Sequence, residues 1–187
     1  MIAGLILAGG RATRMGGVDK PLLPLGGSTL LDFVLERVRP QVAAVAISAN
    51  GDPGRYARFG CPVLADVVQG RGPLGGVLRG LGWARGIGAE ALLTVPGDTP
   101  FVPGDLVARL GVPPACAENA AGVHWPVAVW PVACVSALAD WLDAQPSGRV
   151  SAFGARVGMR RVWFDDAGDP FYNVNTMEDL EAAQRNV

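Results

Sequence analysis

With 187 residues the chain is long enough for one sizeable core, and a single domain over residues 1–187 is expected. Its 16 Lys and Arg against 17 Asp and Glu create no global basic field, which argues against nucleic acid as a partner and requires any anion to be held by a local arrangement. Cys61, Cys116 and Cys134 lie far apart without CxxC spacing, which argues against a zinc knuckle or redox pair and fits a reducing compartment.

The run Met-Ile-Ala-Gly-Leu-Ile-Leu-Ala has no basic segment before it and ends in glycine and arginine after too few residues to span or target a membrane. It reads as a first strand (residues 3–8) of a cytoplasmic protein with no membrane partner. Further buried strands are expected at residues 43–48, 62–65 and 91–96. Between them, "TLLDFVLERVR" from Thr29 sets Leu30, Phe33, Val34, Arg37 and Val38 at helical spacing, and "PLGGVLRGLGWAR" does the same with Leu74, Val77, Leu78, Leu81 and Ala84. Strand, helix, strand, short helix, strand, helix, strand describes a single α/β domain, Rossmann-like, with a parallel or mixed sheet and helices on both faces.

After "PGDTPFVPGDLVARL" the rhythm loosens, and Pro103 is expected in the first turn of a helix. "PPACAENAAG" reads as a strand broken by a turn, and residues 126–131 as a strand that can run antiparallel. Residues 135–144 read as a helix with Leu138, Trp141 and Leu142 in one stripe. "RRVWFDD" reads as a strand, and "MEDLEAAQR" as a final helix capped by Asn175 or Thr176 with acidic residues in its first turn. Most of the five tryptophans are expected in the core or at a subunit contact.

The first strand runs into "AGGRATRMGGVDK". Ligands of open parallel sheets bind beyond the carboxyl ends of strands, so Gly9, Gly10, Arg11, Arg14, Gly16, Gly17 and Lys20 are placed to meet one. Glycines let backbone amides approach an anion, and the basic side chains supply charge, as a phosphate site needs. The alternative is a Gly-Gly turn with solvated basic residues. Neither GxxxxGK[ST] nor GxGxxG with an acidic end to the second strand is present.

"LAGGRATRMGGVDKPLLPLGG" resembles the N-terminal signature of the molybdenum cofactor guanylyltransferases, within the larger nucleotidyltransferase class. "ISAN", "DVVQGRGPLGGVLRGL", "VPGDTPFVPGDLVARL" and "NVNTMEDL" agree in order and spacing, so the resemblance covers nearly the whole chain. It implies a nucleotidyltransferase-type fold and transfer of GMP from GTP to the phosphate of molybdenum-bearing molybdopterin. It also implies nucleotide contacts at Leu7, Ala8, Gly9, Gly10, Lys20, Asn50, Asp66 and Asp98, with Lys20, Arg14 and Asp98 catalytic. The same resemblance assigns magnesium to Asp98, the position after an apolar strand where a carboxylate otherwise caps a turn. Asp66 has the same turn-capping alternative. Gly75 stands where the family has alanine in "GPLAG", and Trp125 where it usually has proline.

His124 is the single histidine, so neither a histidine-rich metal site nor a His-based triad can be built within one chain. In an extended "NVNT", Asn173 and Asn175 face the same side, and the resemblance places them on the acceptor side. Arg156, Arg160 and Arg161 read as a solvated face, with acceptor binding as the alternative. The implied partners are GTP and molybdopterin, with possible contact to cofactor-supplying or molybdoenzyme-maturation proteins. The rival functions are a cytidylyltransferase on the same cofactor, a sugar-phosphate or cobinamide-phosphate nucleotidyltransferase, and a non-catalytic nucleotide-binding regulator of cofactor insertion.

Overall fold

The computed structural model describes residues 1–9, 19–66, 70–144 and 148–187. Strand β1 (Ile2–Leu7) is followed by a small antiparallel hairpin, β2 (Pro24–Leu25) and β3 (Ser28–Thr29), and by helix α1 (Leu30–Val38). Next come β4 (Ala44–Ser48), a 3₁₀ helix (Pro53–Phe59), β5 (Val63–Leu64), α2 (Pro73–Gly86) and β6 (Ala91–Pro96). The remainder is α3 (Leu106–Leu110), β7 (Ala115–Asn119), β8 (Gly122–Pro131), α4 (Val135–Ala144), α5 (Val150–Arg156), β9 (Arg160–Trp163) and α6 (Met177–Gln184).

The main sheet has the order β5-β4-β1-β6-β8-β7-β9. β5, β4, β1 and β6 are mutually parallel, β8 runs antiparallel to both β6 and β7, and β9 pairs parallel with β7. The sheet is therefore mixed, and residues 126–131 lie in its antiparallel strand. β1 alternates its side chains between two cores: Ala3 and Leu5 pack beneath α2, α4 and α5, while Ile6 packs with α1 and α3. That explains why β1 reads as a continuous apolar run rather than an alternating one.

Local signals place the helices. Thr29 and Asp32 form a reciprocal capping box on α1, and Leu30, Leu31, Val34, Leu35 and Val38 are buried. Each such side chain contributes about 1.5–3 kcal/mol when fully buried, so together they outweigh the cap, which is worth about 0.5–2 kcal/mol. Thr176, the second of the two expected residues, caps α6 with Asp179 in the same box geometry. Trp130 is fully buried, its indole N–H satisfied by Thr94 Oγ1 at 3.0 Å.

Several expectations need correction. Pro103 precedes α3 rather than entering its first turn, since Asp105 is the N-cap and the Pro103 carbonyl accepts from Leu106 N and Gln41 Nε2. The strand over 126–131 begins earlier, at Gly122, because the turn after Asn119 closes a β7–β8 hairpin. β9 stops at Trp163, where Asp165 and Asp166 leave the ladder to pair with Arg109. Helix α5 went unread because its seven residues carry no side-chain cap and too few turns to show a period. The expectation for the tryptophans holds, with Trp130 in the core, Trp83, Trp125 and Trp141 packed against it half-buried and Trp163 alone among the five exposed.

Candidate active site

The chain leaves β1 on one side of the sheet for α1 and β4, then returns through α2 to place β6 on the other side of β1. The crevice at such a reversal, beyond the carboxyl ends of the strands, is the usual ligand position in open α/β sheets. A cleft of about 500 Å³ opens there, lined by Leu7, Ala8 and Gly9 at the end of β1, by Asn50, Asp66 and Asp98 after β4, β5 and β6, and by Lys20 and Asn173. Residues distant in sequence thus meet on one edge.

On one wall Lys20 Nζ lies 3.7 Å from Asp98 Oδ2 and donates to Asn175 Oδ1 at 2.6 Å. Burial pushes the Asp98 carboxyl above its ordinary range, and the Lys20 ammonium opposes that shift without cancelling it. In the following turn Thr99 N bonds to Pro96 O, and the Asp98 carbonyl accepts from Val174 N. Thr99 Oγ1 donates to Asn173 Oδ1 at 2.6 Å, so the segment before α6 is tied to the β6 end twice. Val174 is fully buried between the exposed Asn173 and Asn175, the alternation an extended strand imposes. Asp179 steadies this segment from α6, accepting from Asn175 N, Thr176 N and the Tyr172 hydroxyl.

On the other wall Asn50 and Asp66 bond reciprocally: Asn50 Nδ2 donates to Asp66 Oδ2 at 3.0 Å, and Asp66 N donates to Asn50 Oδ1 at 2.9 Å. Asp66 therefore joins two strand ends rather than closing only its own turn. Helix α2 starts between the walls with Gly72 at its N-cap and no side-chain cap, and Gly72, Pro73 and Gly76 line the cleft. Its positive dipole end is directed at the space an anion would fill.

The family described as MobA-like NTP transferase domain matches residues 4–157. The molybdenum cofactor guanylyltransferase of Acidiphilium cryptum is 55% identical over 96% of this chain and 92% of its own length. The chain belongs to the molybdenum cofactor guanylyltransferases. The corresponding protein of Cereibacter sphaeroides is 53% identical over 97% of the chain and 94% of its own length. In fold the chain is also similar to molybdopterin-guanine dinucleotide biosynthesis protein A from Archaeoglobus fulgidus, with a TM-score of 0.76, 20% identity and coverage of 100% and 98%.

Within this family member, Leu7, Ala8, Gly9, Lys20, Asn50, Asp66, Asp98 and Asn173 line one cleft, and Asn175 joins it through Lys20. Gly10 and Arg14, with Arg11, Gly16 and Gly17, lie outside the described residues. His124 is not among the cleft-lining residues; it bonds to Asn119 Oδ1 and packs on Phe171. Arg160 donates to the carbonyls of Leu110 and Val112 and Arg161 pairs with Glu118, and both remain exposed, as a solvated face requires. Sequence reasoning passed over Thr99 and Pro21, whose only signals were adjacency to Asp98 and Lys20.

Among the described residues no group of three His, Cys, Asp or Glu gathers as a metal cluster. One hard carboxylate oxygen at a cleft wall, 19% exposed, nonetheless fits magnesium, which keeps waters and takes phosphate oxygens for its other positions. It does not fit zinc, which needs three or four protein ligands.

Gly97 sets how closely the two motifs approach. A Cβ there would stand 2.8 Å from Pro21 Cγ, against a ring that cannot swing aside, so the residue before Asp98 presses on the residue after Lys20. Gly97→Ala is expected to cost about 1–3 kcal/mol in thermal unfolding and to lower turnover about tenfold by widening the Lys20–Asp98 gap. Pro21→Gly in the same chain should recover most of both; unaltered turnover in the single variant would show that the spacing is not critical.

Proposed function

We propose that residues 1–187 form one nucleotidyltransferase domain that transfers GMP from GTP to the phosphate of molybdenum-bearing molybdopterin, with release of diphosphate. The observation that carries this is the convergence, at the sheet's reversal point, of an ammonium and a carboxylate 3.7 Å apart on one wall with a reciprocal Asn–Asp pair on the other. The first pair suits a triphosphate and the second a nucleoside. The membership of the chain in the guanylyltransferases supplies guanine and the acceptor.

An acceptor phosphate oxygen is already anionic, so its attack on the α-phosphorus requires no activated serine or cysteine. Cys116 and Cys134 are buried, their thiols pushed up to about 11 chiefly by that burial, and take no part. A new P–O bond forms as the bond between the α-phosphorus and the bridging oxygen of diphosphate breaks. Lys20 offsets the phosphate charge, exchanging Asn175 and Asp98 for phosphate oxygens. The amide of Gly9 and the uncapped start of α2 orient the phosphates, and Asn50 with Asp66 holds the nucleoside. Magnesium at Asp98 would supply charge neutralisation to the phosphates when bound. Asn173 and Asn175 border the acceptor.

Among the described residues no helix is long and apolar enough to cross a membrane. Purified protein given magnesium and molybdenum-bearing molybdopterin should consume GTP in preference to CTP, ATP and UTP. Equal or greater use of CTP would reassign the chain to cytidylyl transfer.

A further inference from the structure

Asp19, extended at φ −66° and ψ 110°, precedes the 3₁₀ turn Lys20–Leu22, and the two neighbouring side chains have different partners. Lys20 faces the cleft. Asp19 faces the 3₁₀ helix, where its carboxylate meets Arg55 Nη1 in an ion pair. Tyr56, the next residue of that helix, is 1% exposed and anchors it in the core. The same guanidinium donates through Nη2 to the Asn50 carbonyl at 2.8 Å and through Nε to the Asp52 carbonyl at 3.1 Å. Gly51 makes that reach possible: its φ is +88°, and a Cβ there would sit 3.0 Å from Arg55 Nη2.

One planar group therefore links the residue before Lys20 to the residue whose side chain pairs with Asp66. We propose that Arg55 is a positioning residue for nucleotidyl transfer, fixing the spacing between the phosphate-side Lys20 and the nucleoside-side Asn50–Asp66 pair. This rests on reading the cleft as the GTP site. Lysine cannot replace it, because an ammonium lacks the fork that engages three acceptors in one plane. Arg55 is 37% exposed at its side chain, where an ion pair adds little to global stability. Its effect is local.

The test compares wild type with Arg55→Ala, Arg55→Lys, Asp19→Asn and the Arg55→Ala/Asp19→Asn double variant. Arg58→Ala serves as control, because Arg58 lies on the same 3₁₀ helix but pairs with Asp32. First, the nucleotide-free proteins are treated with an amine-acylating reagent and modification of Lys20 is followed by mass spectrometry. Arg55→Ala and Asp19→Asn should label several-fold faster than wild type, and Arg58→Ala at the wild-type rate. Second, kcat/KM for GTP should fall about 10- to 100-fold in Arg55→Ala, with Arg55→Lys closer to alanine than to wild type and melting temperatures moving by less than about 4 °C. The double variant should be no worse than the poorer single, because both changes cut one link. Unchanged Lys20 labelling in Arg55→Ala, or losses that simply add, would overturn the proposal. Wild type that labels as expected but shows no GTP turnover would instead overturn the assignment of the cleft, leaving the Arg55 link standing as geometry.

Discussion

Asp98→Asn is expected to lower GTP turnover by about a hundredfold or more while nucleotide-free protein melts at or above the wild-type temperature. Asparagine keeps the size of the side chain but not the negative charge a cation requires. The stability half of the result follows from the direction of the Asp98 shift. Burial raises its folded-state pKa despite the ammonium opposite, so its contribution is fully present below the unfolded carboxylate value of about 3.9 and is lost as pH rises through the raised folded value. Above that point the wild type carries the cost of a buried charge and the variant does not. Lys20 keeps Asn175 as a partner in the variant, so no second group is stranded. Unfolding of both proteins from about pH 4 to 8, with rate measured against magnesium concentration, checks both halves. A turn-capping role would instead cost up to about 2 kcal/mol and leave the magnesium dependence of turnover unchanged.

Lys20→Ala should reduce turnover at least tenfold, since a hydrogen bond to a charged group is commonly worth about 1.5–3 kcal/mol. The structure sharpens the stability side. Lys20 is the sole cation within ion-pairing distance of Asp98 among the described residues, so among them its removal leaves the carboxylate only its own backbone N–H to offset its burial. The alanine variant should therefore melt below wild type at neutral pH and recover at mildly acidic pH, where Asp98 takes up a proton. Adding Asp98→Asn to Lys20→Ala should restore stability without restoring turnover. Near-normal turnover of Lys20→Ala with an unchanged melting curve would return the lysine to the role of a solvated surface charge.

The strands and the long helices were legible because their signals are local. β6 spans residues 91–96 and α4 spans residues 135–144, as their apolar patterns predict. Thr29 and Thr176 announce their helices through capping boxes three residues deep. The short helix expected between the strands at 43–48 and 62–65 is the 3₁₀ helix Pro53–Phe59, whereas α5, with seven residues and no side-chain cap, was not legible because so few turns show no period. Arg160 is exposed surface charge as expected, but its bonds to the Leu110 and Val112 carbonyls were not legible because they come from about fifty residues earlier.

The sequence by itself determined the α/β class, the glycine-rich approach to Lys20, the two strand-end aspartates and the motif order that marks the family. All but the last depend on residues within a few positions of one another, where backbone geometry alone decides which side chains share an edge, and the last on short motifs read one after another along the chain. Only the tertiary structure decided that Lys20 meets Asp98 and Asn175, that Asn50 pairs with Asp66, and that Arg55 spans Asp19 and Asn50. Those contacts join the loops after β1, β4, β5 and β6 with the segment before α6, and their spacing depends on strand order, register and the Pro21–Gly97 contact. Distances across strands follow from packing of the whole sheet, which no short stretch of chain contains.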